Sequence, residues 1–198
     1  METKPIDRAP DDPGDDLGED AAPPPPWEPE FSWIGDGLAV GGSFPRGVAE
    51  RLARECGIAA VIDVRIEASD HPEELASHGL AFLRLPTEDA CAVSQEMLDE
   101  GVRFARAAAG RRLLVHCQHG IGRSALVALC VLVDRGLAPM DALRRAKDAR
   151  EKISPSPGQF EAWAEWIARS APGQPVPSFE DYARVAYRHL HGHRQGPS

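Results

Sequence analysis

One stretch of the chain concentrates groups able to do chemistry together: His116-Cys117-Gln118-His119-Gly120-Ile121-Gly122-Arg123-Ser124. It follows the apolar run Arg112–His116 and precedes a second apolar run, so it reads as a loop between a strand and a helix. A loop wrapped around a helix N-terminus points successive backbone N–H groups inward, and the helix dipole adds positive potential, which together suit a phosphate dianion. Gly120 and Gly122 supply the backbone freedom that such a tight ring requires. The same field acts on Cys117, because a thiol at a helix N-terminus beside an arginine falls from about 8.5 to between about 3.5 and 7.5. Arg123 offers a planar fork to two phosphate oxygens, which lysine cannot reproduce. Ser124 is placed to donate a hydroxyl hydrogen bond to the Cys117 sulfur, stabilising it as a leaving group. The candidate phosphate-binding residues are therefore Gln118, His119, Gly120, Ile121, Gly122 and Arg123, with His116 supporting the loop from beneath.

The elements around this loop alternate. FSWIG and LAVGG read as two short strands joined at Asp36-Gly37; then come the helix GVAERLAREC, the β-branched strand AAVIDV, the short helix HPEELASHG and the strand AFLRLP. A longer helix, SQEMLDEGVRFARAAAG, starts at the N-cap candidate Ser94 and leads to the strand RLLVH. Three more helical patterns follow: RSALVALCVLVDRG, PMDALRRAKDAR and PGQFEAWAEWIARS. This order predicts an α/β fold with a central, mostly parallel sheet of about five strands flanked by helices on both faces. Ligands in such sheets bind at the carboxyl ends of the strands, where the loop after RLLVH lies.

Of the formal net charge of −9, residues 1–30 carry −8, and the remaining 168 residues are nearly neutral at −1. With Pro23 to Pro26 and Pro29, the first 30 residues offer little apolar surface, and we read them as a disordered acidic arm. Its PPPP run is a candidate ligand for a protein partner, against the plainer reading of a solubilising tail. We place the catalytic domain at 31–170. Residues 171–198 form a linker and a C-terminal segment, SFEDYARVAYRHLHG, read as a docked or free helix between Ser178 and Gly192. No basic stripe favours a nucleic-acid partner. The longest apolar run, Ala125 to Val133, is nine residues, too short for a membrane span. The four cysteines Cys56, Cys91, Cys117 and Cys130 form no CxxC pair and no zinc spacing, so no metal and no cofactor is expected. With no basic-then-apolar opening, the expected location is the cytoplasm.

HCQHGIGRS resembles the phosphate-binding signature of the cysteine-dependent protein phosphatases of the tyrosine and dual-specificity type, HCxxGxxR followed by Ser or Thr. The resemblance in element order runs over roughly residues 31 to 170. It implies a two-step reaction in which Cys117 attacks phosphorus and water then hydrolyses the cysteinyl-phosphate. It also implies a general acid about thirty residues before the cysteine, after a strand ending in proline; Leu85-Pro86-Thr87-Glu88-Asp89 occupies that place. Asp89 is the candidate acid and Glu88 its competitor. Val61-Ile62-Asp63-Val64-Arg65 is similar to a segment of several bacterial members, which would bring Asp63 and Arg65 near the site, unless they form an ordinary structural ion pair. Gln159 is compared with the water-positioning glutamine of larger tyrosine phosphatases, but a helix start explains it better. Cys91 is a candidate disulfide partner for Cys117 on oxidation.

The implied substrate is a phosphoprotein, phosphotyrosine first and phosphoserine or phosphothreonine as well. Three rival readings stand beside it. Phosphoinositides or other small phosphomonoesters are disfavoured because members directed at lipids often carry basic residues between the cysteine and the arginine, where this loop has only the titratable His119. A catalytically inactive phosphopeptide-binding module usually lacks the cysteine or the arginine, and both are here. Rhodanese sulfurtransferases bring arginine one position closer to cysteine and have no use for an acid such as Asp89.

Overall fold

The computed structural model describes residues 27–191. Five strands, β1 (Phe31–Gly35), β2 (Leu38–Gly41), β3 (Ile58–Arg65), β4 (Ala81–Thr87) and β5 (Arg112–His116), form one sheet in the order β1-β2-β5-β3-β4. Only the β1–β2 pair is antiparallel, joined through Gly37 at φ 64°; β2, β5, β3 and β4 run parallel. The expected α/β architecture is the observed one.

Eight helices complete the described chain: α1 (Ala49–Arg54), α2 (Pro72–Ser77), α3 (Gln95–Ala107), α4 (Arg123–Asp134), α5 (Pro139–Ala149), α6 (Pro157–Ser170), α7 (Phe179–Ala186) and α8 (Arg188–His191). Side chains of a strand alternate between faces, and β3 and β5 show the division. Ile62, Val64, Leu113 and Val115 enter the larger core with α3 to α7, whereas Val61 and Leu114 enter a smaller one with Leu52 of α1 and Leu75 of α2.

Helix α4 is apolar all round and buried from Arg123 to Val133, as expected of a helix enclosed between a sheet and other helices. Each of its buried leucine and valine side chains contributes about 1.5 to 3 kcal/mol relative to exposure. That anchoring fixes its N-terminus beneath the loop leaving β5. Registers place Asp63 beside His116 and Gly41 beside His116, so the carboxyl ends of β2, β3 and β5 converge on the loop.

The C-terminal segment is docked: Ser178 accepts from the Asp181 N–H as N-cap, and Tyr182 and Ala186 are buried. Gly192 lies outside the described residues, as do residues 1–26. The last residues assigned by composition to the arm instead lie on the domain. The Trp27 carbonyl accepts from Arg51 Nη1 at 2.7 Å, with the guanidinium 5.4 Å from the Trp27 ring centre, and Glu30 pairs with Arg150 and Lys152. An aromatic ring and two basic partners outweigh the acidic, proline-rich composition there. Among the described residues no helix is long and apolar enough to cross a membrane.

Candidate active site

Strand β5 ends at the fully buried His116, and the chain turns to begin α4 at Arg123. The carbonyls of residues 118 to 121 point outward and are tied there. Ser43 N–H donates to Gln118 O at 3.1 Å and Ser154 N–H to Ile121 O at 3.0 Å. Arg150 donates through Nη2 to His119 O at 3.0 Å and through Nε to Gly120 O at 2.8 Å. With its carbonyls engaged outside, the loop turns its N–H groups toward the Cys117 sulfur, forming an anion-binding concavity. Gly120, at φ 66°, is required twice over, since a Cβ there would lie 2.5 Å from the Gly41 carbonyl carbon.

Cys117 is 3% exposed, and its Sγ lies 3.2 Å from Ser124 Oγ. Burial pushes the thiol up, but the Ser124 hydroxyl and the N–H groups of Ser124, His119 and Gly120 outweigh it and hold the thiol below its ordinary value. By contrast, burial, with the charge of Asp99 adding to it, raises Cys130 well above that value. All four cysteines are free, with Cys91 exposed and its Sγ 3.9 Å from Glu88 Oε2.

Arg123 is 1% exposed. Its Nη1 and Nη2 each donate to Glu67 at 2.7 Å, Nη1 also donates to the Thr87 carbonyl at 2.8 Å, and Nη2 lies 3.0 Å from Asp89 Oδ1. Its Nε is buried without a partner among the described residues, leaving one N–H for a ligand oxygen. The Glu67 hydrogen bonds hold the guanidinium charged, and in return Arg123 pulls Glu67 down to about 2. Glu67 thus orients the clamp, a role that position, at the carboxyl end of β3, could have signalled in the sequence. Thr87, the last residue of β4, shares that signal, and Arg150, which also serves the site, carries none. Glu67→Gln is expected to lower kcat/KM about ten- to a hundredfold, the worth of a charged hydrogen-bond pair, as measured by steady-state kinetics on an aryl phosphate. An unchanged kcat/KM would remove Glu67 from the site.

Asp89, Cys117, His119, Ile121, Gly122 and Arg123 line one cavity of about 210 Å3, with Ala90, Ser154, Ser156 and Gln159 on its other side. Glu88 is not among these residues, and neither is Gln118, whose side chain is exposed. Ala90 has φ 59°, the one left-handed non-glycine among the described residues, a conformation costing about 1 to 2 kcal/mol. Gln159 is the partner of Ser156 in a capping box, so the helix-start reading holds, and its Nε2 also donates to Cys91 O at 2.9 Å.

Beneath the loop, His116 Nε2 lies 2.7 Å from Asp70 Oδ2. Arg65 donates to Asp63 at 2.8 Å and to Asp70 at 2.6 Å. Asp63, Asp70 and His116 have the composition of a metal site, but the Arg65 guanidinium already supplies the positive charge between the two carboxylates. Asp63 and Arg65 are both an ion pair and, through Asp70, the footing of His116. A larger cavity of about 560 Å3 at the opposite end of the sheet is lined by Asp36 and four arginines, and it contains no nucleophile.

Residues 42–168 match the family described as "Dual specificity phosphatase, catalytic domain". The chain is 34% identical over 105 residues to mouse "Dual specificity protein phosphatase 2", covering 51% of this chain and 32% of the relative. To the Arabidopsis thaliana "Phosphatidylglycerophosphate phosphatase PTPMT1" it is 28% identical over 149 residues, covering 70% and 44%. It therefore spans less than half the length of these relatives. The solved structure "Tk-PTP in the active form" superposes with a TM-score of 0.64 at 27% identity, over 71% of this chain and 98% of that one.

Proposed function

Since the chain belongs to the dual specificity phosphatase family, we propose that it hydrolyses phosphomonoesters through a cysteinyl-phosphate intermediate. One observation carries the reading: a thiol held below its ordinary pKa by a buried hydroxyl 3.2 Å away, a guanidinium with an unpartnered N–H, and Asp89 meet at one cavity, lined by Cys117, Arg123 and Asp89. In the first step the Cys117 thiolate attacks phosphorus and the bond to the ester oxygen breaks; Asp89 gives that oxygen its proton. Arg123 and the loop N–H groups hold the three equatorial oxygens as charge spreads over them. In the second step Asp89, now a carboxylate, takes a proton from water as the water oxygen attacks phosphorus. The sulfur leaves as thiolate, stabilised by Ser124.

The substrate class we propose is a phosphoprotein, phosphotyrosine and then phosphoserine or phosphothreonine. Arg123 is the one lysine or arginine lining the cavity, the exposed Asp89 adds an acid, and Ala90, Ser154 and Ser156 are small and uncharged, which suits a peptide more than a polyanionic headgroup. A lipid phosphomonoester is the second reading, favoured by the relative named for phosphatidylglycerophosphate. Release of phosphate from phosphopeptides and from mixed vesicles containing phosphatidylglycerophosphate, compared at equal phosphate concentration, separates the two.

Asp89→Asn tests the acid. Phenolate is a poorer leaving group than para-nitrophenolate and needs its proton more, so kcat/KM, which reports the step that expels it, is expected to fall about 10² to 10³-fold on phenyl phosphate and far less on para-nitrophenyl phosphate. Equal losses on the two esters would transfer the role from Asp89 to another group. Both assays are run with EDTA, which a thiolate mechanism tolerates.

A further inference from the structure

Residues 150–156, between α5 and α6, touch both halves of the site. On the phosphate-loop side lie the bonds from Ser154 and Arg150 to the carbonyls of residues 119 to 121. On the acid-loop side, Ser156 Oγ donates to Ala90 O at 3.1 Å, and Gln159 Nε2 holds Cys91 O. The far side of this segment rests on the C-terminal helices. Tyr182 and Tyr187 donate their hydroxyls to the same Pro155 carbonyl at 2.7 and 2.8 Å, filling both of its lone pairs. Lys147 Nζ donates to Ile153 O at 2.7 Å and lies 2.7 Å from His189 Nδ1.

Tyr182 is fully buried, its ring 4.6 Å from Phe160 and 6.2 Å from Trp163, so its hydroxyl has no water to turn to and the Pro155 carbonyl is held where that hydroxyl needs it. Helices α7 and α8 lie beyond the residues matched by the family, 42–168, yet Tyr182 and Ala186 enter the main core.

We propose that the α7–α8 pair is a positioning element for catalysis: Tyr182 and Tyr187 fix Pro155, and through Ser156 and Gln159 fix the loop that carries Asp89. This rests on the phosphomonoester chemistry proposed above. The left-handed Ala90 lies next to Asp89, and a non-glycine residue stays in that conformation only where its surroundings over-determine it. Ser156 and Gln159 hold the carbonyls of Ala90 and of its neighbour Cys91. Loosening Pro155 loosens both holds. The phosphate loop is less dependent on Pro155, because Arg150 and Ser43 tie it independently. The helix pair therefore governs proton delivery to the leaving group more than phosphate binding.

The test uses the full chain carrying Tyr182→Phe and Tyr187→Phe, which removes two hydroxyls and keeps the rings. We expect kcat/KM to fall about tenfold on phenyl phosphate and by no more than about twofold on para-nitrophenyl phosphate, with inhibition by inorganic phosphate within about twofold of wild type. In an Asp89→Asn background the two tyrosine changes should add almost nothing on phenyl phosphate, because the acid they position is gone. Equal losses on both esters, full additivity in that background, or no loss at all would overturn the proposal. Tyr187→Phe alone, at a half-buried position, gives a smaller effect of the same pattern and serves if the double variant melts below the assay temperature. If wild type hydrolyses neither ester, the catalytic reading fails by itself, and hydrogen exchange then judges the helix pair. Amides of residues 89–92 exchanging about tenfold faster in the double variant support the positioning role, and unchanged exchange overturns it.

Discussion

Cys117→Ser is expected to reduce turnover of para-nitrophenyl phosphate by a factor on the order of 10⁴ to 10⁶, to the level left by binding and electrostatics alone. The reason is ionisation. The Ser124 hydroxyl and three N–H groups lower a thiol that ordinarily ionises near 9.0, which favours the thiolate. The same field acting on an alcohol leaves it protonated throughout the working range. The phosphate cradle is made of backbone and Arg123, so the variant keeps it and should hold phosphorylated substrate without consuming it. The sign of the pH dependence follows: the reactive form is the deprotonated one, so activity and alkylation by iodoacetamide both fall as pH drops through the lowered Cys117 value. Ser124→Ala removes one lowering contact and should move that fall to higher pH. Alkylation of Cys117 with the pH profile of an ordinary exposed thiol would contradict the account, as would turnover in Cys117→Ser within about a hundredfold of wild type.

Arg123→Lys is expected to cost about 10³ to 10⁵ in kcat/KM although the charge is kept. The guanidinium presents Nη1 and Nη2 to Glu67 while its Nε stays free, and a single ammonium cannot face a carboxylate, a backbone carbonyl and a phosphate oxygen in one plane. A second readout accompanies the kinetics. The Glu67 carboxyl titrates near 2 chiefly because Arg123 hydrogen-bonds it, so in the lysine variant it should move up toward 4.5, followed by nuclear magnetic resonance. For a carboxyl depressed in this way, the associated stability is present above about 4.5 and lost as pH falls toward 2; the variant loses that component. A lysine variant with near wild-type kinetics would mean that the fork geometry is not used.

The phosphate loop and the elements that carry it were legible in the sequence because both are local. Strand β5, the glycines at 120 and 122 and helix α4 are consecutive, and the alternation of strand and helix patterns sets a parallel sheet. Ser94 as an N-cap and the helix start before Gln159 were likewise written within a few residues. What could not be read is long-range pairing. Glu67 meets Arg123 across 56 positions, Arg150 meets Gly120 across 30, and Tyr182 meets Pro155 across 27. Glutamate, arginine and tyrosine are ordinary surface and core residues by type, and only the fold makes them parts of a site. Gln159 shows the limit well: the helix-start reading was right, and it did not reveal that the same amide holds the Cys91 carbonyl. Glu30 shows the reverse error, an acid assigned by composition to a solvated arm that instead pairs with Arg150 beneath the phosphate loop.

The outward tethering of the carbonyls of residues 118 to 121 also bears on how such a site changes over generations. The cradle is built from main chain and secured by Ser43, Arg150 and Ser154, so its shape owes nothing to the side chains of Gln118, His119 and Ile121. Drift at those three positions can reshape the mouth of the cavity, and with it the choice of ester, while the groups that break the phosphorus–oxygen bond stay in place. Inheritance of the chemistry and diversification of its targets are thereby assigned to different atoms of the same residues.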